Sequence, residues 1–138
     1  MSFSAIESTL RKSLIDAGLD LSIAWENDNF KPVIDTPWIQ VYHDPDQPTV
    51  ATLSGIGEDE HRGGFNLNLY YPKGRGVADI NAKADELMAY YQAGARFTHG
   101  GQEVGILSCG RSGGRTVDGW WSITVTIDYW ARTTRSVA

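Results

Sequence analysis

Gly110-Arg111-Ser112-Gly113-Gly114 has the G-x-S-x-G spacing of a nucleophile elbow and is the most reactive-looking arrangement in this sequence. That chemistry needs a sharp strand-to-helix turn that lifts the serine hydroxyl, with an acid and a histidine following along the chain. All three histidines, His43, His61 and His99, precede Ser112, and the next element reads as a strand. A glycine-rich loop is the better account. Gly74-Arg75-Gly76, between a strand and a helix, has the shape of a dinucleotide-binding turn, but the third glycine of that fingerprint falls on Asp79. A carboxylate at a helix N-terminus sits where phosphate would bind, so a tight turn with an acidic cap fits better.

His43, Asp44, Asp46, Glu58, Asp59, Glu60 and His61 supply imidazoles and carboxylates, which are metal-ligand types. A small metal-dependent hydrolase using His43, Asp44, Asp46 and His61 is therefore the rival from the enzyme class. Their spacing matches neither an EF-hand loop nor an H-E-x-x-H helix, and a solvated acidic loop explains it. Cys109 is the lone cysteine, which rules out an internal disulfide and argues against a cysteine-ligated metal. It reads as a small buried hydrophobe. The expectation is no catalytic residue, no metal and no cofactor.

Arg62, Arg75, Arg111 and Arg115 lie in or beside glycine-rich turns. On a monomer they are solvated charges; in an assembly arginine forms bidentate pairs with a neighbour's carboxylates. Trp121 is in phase with the apolar residues of its strand, whereas Trp120 and Trp130 are out of phase. The two out-of-phase tryptophans join the four arginines as candidate subunit or partner contacts.

These residues need a scaffold, and 138 residues suffice for one domain with its own core. Net charge is −5, which argues against general nucleic-acid binding through a basic surface, and no sequence-specific nucleic-acid partner is expected. Residues 1–60 hold three basic and eleven acidic side chains, while residues 61–138 hold nine basic and six acidic ones. Halves of −8 and +3 suit unlike faces that meet head to tail. The opening residues give no signal-peptide pattern, and no apolar run reaches the roughly 20 residues a membrane helix needs.

Ser4 and Glu7 fit a capping box, after which Ile6, Leu10, Leu14 and Ala17 share a helical face that Gly18 ends. A second helix carries Ile80, Ala84, Leu87 and Tyr91, with Gly94 as its stop. Strands are expected at Trp38–Tyr42, Val50–Leu53, Phe65–Tyr71, Phe97, Val104–Cys109 and, most clearly, Trp121–Tyr129. His43 to Pro48 is dense in turn formers, and Ile23-Ala24-Trp25 is a short apolar stretch. The expected class is α+β, a mostly antiparallel (mixed) sheet with both helices packed on one face.

Ile23-Ala24-Trp25-Glu26-Asn27, Phe30-x-Pro32, Pro37-Trp38-Ile39-Gln40-Val41, Arg62-Gly63-Gly64-Phe65, Tyr71-Pro72-x-Gly74-x-Gly76 and the closing Gly119-Trp120-Trp121-Ser122-Ile123-Thr124-Val125-Thr126-Ile127-Asp128-Tyr129 occur in this order. The pattern resembles the phage tail terminator-like family over roughly residues 2–131, with 1–138 as a single domain. The resemblance implies a structural role: a hexameric ring on the last ring of a long, non-contractile tail tube. That ring halts tube growth and offers the head a joining surface, with DNA passing through its lumen. Implied partners are further copies of the chain, the tail tube protein and a head-completion or neck protein. The implied location is the head-proximal end of the virion tail, after assembly in the host cytoplasm. The family brings no catalytic residues. The nearest rival is a head-completion or stopper protein of the neck.

Overall fold

The computed structural model describes residues 3–53 and 57–134. Among these, two helices and eight strands form one mixed, curled sheet covered on one face. The elements run α1 (Phe3–Asp16), β1 (Ser22–Ala24), β2 (Trp38–Pro45), β3 (Thr49–Val50), β4 (Glu58–Pro72), α2 (Ala78–Tyr90), β5 (Arg96–His99), β6 (Gln102–Arg111), β7 (Arg115–Val117) and β8 (Trp120–Thr134). The sheet order is β1-β2-β4-β8-β6-β5, with β3 added to β4 and β7 to β8. β1 pairs parallel with β2, and every other pairing is antiparallel. The short Ile23-Ala24 stretch thus makes the sheet mixed.

β4 and β8 pair over their whole lengths, from Glu58↔Thr134 to Pro72↔Trp120. Strict alternation sends Phe65, Leu67 and Leu69 of β4 and Ile123, Val125, Ile127 and Tyr129 of β8 to one face, all buried. Ile39 and Val41 join them from β2, and Val104 and Ile106 from β6. Ile6, Leu10 and Leu14 of α1 and Ile80, Ala84, Leu87 and Tyr91 at α2 close the same core, so both helices cover one face as expected. Ser13 Oγ and the Tyr91 hydroxyl, 2.8 Å apart, tie the helices together.

Several local expectations change. Ser4 lies inside α1, which already includes Phe3, so the capping box does not form there. β2 runs on through His43-Asp44-Pro45, residues expected to turn, because each has a partner on β4 as far as Gly63. The strand expected at Val50–Leu53 shrinks to Thr49–Val50, and that expected at Phe65 begins at Glu58. β7 was not anticipated. It returns into β8 through Asp118 (φ 48°) and Gly119 (φ 82°), a two-residue hairpin turn with both residues left-handed.

Candidate functional site

The metal and nucleophile groupings come apart in space. His43 and His61 point into the core side of the sheet, where His43 Nε2 bonds the Tyr129 hydroxyl and His61 Nε2 lies 2.8 Å from Thr133 Oγ1. Phe3 stacks on His43. Burial holds the His43 imidazole below its ordinary value, against the opposing pull of Glu7, Glu26 and Asp44. Asp44 is exposed, across the sheet from these rings. Among the described residues no group of three His, Cys, Asp or Glu side chains converges as a metal site would require.

Ser112 Oγ is engaged in the backbone, donating to Gly113 O at 3.0 Å and accepting from Thr124 N–H at 3.0 Å. The Ser112 N–H also donates to Thr124 O at 2.9 Å, so the serine carries the β6–β8 pairing one residue beyond Arg111. Burial pushes the Cys109 thiol up to about 11, with Asp128 adding to the shift, which leaves it a poor nucleophile at neutral pH. Gly74 (φ 85°) and Gly76 (φ 77°) make the tight turn before α2, whose first turn carries Asp79.

The face of the sheet opposite the helices is different in kind. Alternation and register set out cross-strand rows there: Trp38–Tyr70–Ser122–Arg115, then Gln40–Asn68–Thr124, then Tyr42–Asn66–Thr126. Thr124 Oγ1 donates to Asn68 Oδ1 at 2.6 Å, and Asn68 Nδ2 and the Tyr70 hydroxyl both donate to Gln40 Oε1. This central carpet of amides and hydroxyls has aromatic ends. At one end Phe30, Trp38 and Tyr70 stack, and Trp120 meets Trp38 edge-on at 6.0 Å. At the other, Trp130 lies over Gly105, its neighbour in register, with the Arg96 guanidinium 5.5 Å from its ring.

Trp120 and Trp130 are thus both on the uncovered face, half-buried by these contacts. Of the four candidate arginines, Arg62 pairs with Glu60 at 3.1 Å and Arg75 with Asp35 at 3.6 Å. Arg111 donates to Asn81 Oδ1 at 2.9 Å. Arg115, on β7, has no hydrogen-bond or ion-pair partner among the described residues. The six residues do not form one patch: Arg75, Arg115 and Trp120 lie toward the Trp38 end of the strands, Arg62 and Trp130 toward the other, and Arg111 reaches α2 on the covered side.

A groove of about 450 Å³ on the β1–β2 flank was missed by sequence reasoning. Glu26 and Asp28 line it with Phe30, Trp38, Gln40 and Tyr42. Glu26 also accepts the outward His43 N–H at 2.7 Å, capping an open stretch of β2. Positive φ at Asn27 (54°) turns the chain so that these side chains gather. Glu26-Asn27-Asp28 could have been read as a turn signal, but its closeness to Asn68 lay beyond any local pattern.

No curated protein matches the chain. Several solved structures are similar to it; one has a TM-score of 0.76 and 24% identity over 95% of this chain and 96% of that one, which establishes the likeness of fold. No helix among the described residues is long and apolar enough to cross a membrane. A family model described as phage tail terminator protein matches residues 4–129. With an uncovered sheet face, two unlike flanks and that match over most of its length, the chain belongs to the phage tail terminator family and has a structural role in the phage tail.

Proposed function

We propose that this chain forms a hexameric ring that caps the head-proximal end of the tail tube, stops its polymerisation and presents the surface to which the head joins. The observation that carries the reading is the family match over residues 4–129. The fold agrees with it, since β1–β2 and β5–β7 give the sheet two unlike flanks, as a heterologous contact that closes by rotation requires. Arg62, Arg75, Arg111, Arg115, Trp120 and Trp130 are the proposed contacts with other copies, the tube protein or the neck protein. On this reading the chain does no chemistry, and its work is to be recognised on each side in turn.

Native mass spectrometry over a wide concentration range tests the ring. A species of about 91 kDa, six chains of 15.2 kDa, is the expected result. Electron microscopy of phage lacking the protein tests its place: overlong tubes are expected, whereas tails of normal length without heads would make it a neck protein.

A further inference from the structure

We propose that the groove on the β1–β2 flank receives Arg115 of a second copy of this chain, so that every subunit offers an arginine on one flank and accepts one on the other. The inference rests on the assembly reading above and supplies its contact.

The groove has the chemistry of a guanidinium site. Glu26 and Asp28 can accept hydrogen bonds from the cation, while Tyr42, 53% exposed, and the Phe30–Trp38 stack offer aromatic surface. Neither carboxylate has an ion-pair partner among the described residues. Asp28 accepts only from the neighbouring Asn29 N–H, and Glu26 only from His43 N–H. From Asp20 to Asp46 the chain carries six carboxylates against the single cation of Lys31, and with Arg75 on Asp35 and Arg11 over Trp25 the flank keeps a net negative charge.

Arg115 is the matching group. The other six described arginines are engaged: Arg11 over Trp25, Arg111 with Asn81, and Arg62, Arg75, Arg96 and Arg132 with carboxylates. Among the described arginines Arg115 alone is exposed with neither an ion pair nor a hydrogen bond, its charge reaching only the Tyr70 hydroxyl in the same row. It stands at the end of the row that begins at Trp38. Three strand spacings, about 14 Å, separate the two within one chain, too far for one side chain to span. Opposite ends of a row cannot meet in one chain but do meet between copies set flank to flank. The approach is open, because β5 pairs with β6 only as far as Gly105 and the edge from Leu107 through β7 has no strand of the described residues beside it.

A charge swap tests the contact. Asp28→Arg and Arg115→Asp are each expected to raise the concentration of half-assembly about tenfold or more in sedimentation at about 50 mM salt. Both changes in one chain are expected to bring it back close to the wild-type value, with circular dichroism unchanged throughout. Single variants that assemble like an oligomeric wild type, or a double variant no better than either single, would overturn the contact and leave the ring standing. A wild-type chain that stays monomeric at every concentration would overturn the ring reading and this contact with it.

Discussion

Gly105 sits in the middle of a strand, where glycine ordinarily weakens a sheet. Its use here is steric: a Cβ at that position would collide with the Trp130 indole that lies over it. The ring covers the glycine backbone on an otherwise open face, as aromatic residues do for strand glycines elsewhere. Gly105→Ala is therefore expected to cost about 1–3 kcal/mol, as overpacking does, and to lower Tm; an unchanged Tm would show that the indole is free to swing away. His43 gives a prediction with a definite sign. Its folded value lies below the ordinary 6.5, so the unfolded chain takes up the proton first. The stability it contributes is complete above about pH 6.5 and declines as the pH falls through that value toward the folded one. Melting followed between about pH 7.5 and 5.5 should therefore fall more steeply for the wild type than for His43→Gln. Parallel curves would assign the acid sensitivity to other groups. Neither role was visible in the sequence, where Gly105 was one residue inside a strand and His43 belonged to an acidic turn.

At the scale of elements, periodicity located what packing then extended. The alternation of Phe65-Asn66-Leu67-Asn68-Leu69 and of Trp121 to Tyr129 marked the two central strands, and the apolar faces of both helices were legible residue by residue. The ends were not, because they depend on partners distant in sequence. Gly63-Gly64 looks like a break, yet each residue pairs with both β2 and β8, and a Cβ at Gly63 would strike the backbone at Asp44 and Pro45. Tertiary pairing outweighs local propensity there. The joint between the helices was equally hidden, since Ser13 and Tyr91 lie on different elements. Burial raises the Tyr91 hydroxyl, so it stays protonated and bonded to Ser13 Oγ. Tyr91→Phe should cost about 1 kcal/mol, and a double-mutant cycle with Ser13→Ala should return a coupling of similar size. Urea midpoints that add without coupling would leave the joint to apolar packing and to the Tyr90 hydroxyl, which donates to Ser13 O at 2.8 Å.

At the scale of the whole molecule, the charge split written along the chain becomes a split across the sheet. α1 is neutral, with Glu7 and Asp16 balanced by Arg11 and Lys12, so the acidity of residues 1–60 belongs to the segments after it. Many of those carboxylates run along β1, β2 and the connections around them, while Arg111 and Arg115 stand on the far side of β8. The charge halves of the sequence raise unlike flanks as an expectation, but the groove that one flank carries depends on residues 26–30 folding against β2. If subunits meet through these flanks, their association must respond to salt in a way an apolar interface would not. Raising the salt from about 50 mM to about 500 mM shortens the screening length from about 14 Å to about 4 Å, below the reach of the flank charges on one another. The half-assembly concentration of the ring should therefore rise with salt, and the slope should flatten in Arg115→Asp, which has lost one attracting charge and placed a carboxylate against an acidic groove. An apolar interface predicts the opposite trend, because salts that are excluded from the surface strengthen burial. Sedimentation across that salt range decides between them: association that weakens with salt places the flank charges in the contact, and association that holds or tightens places the contact on Trp120, Trp130 and the uncovered face.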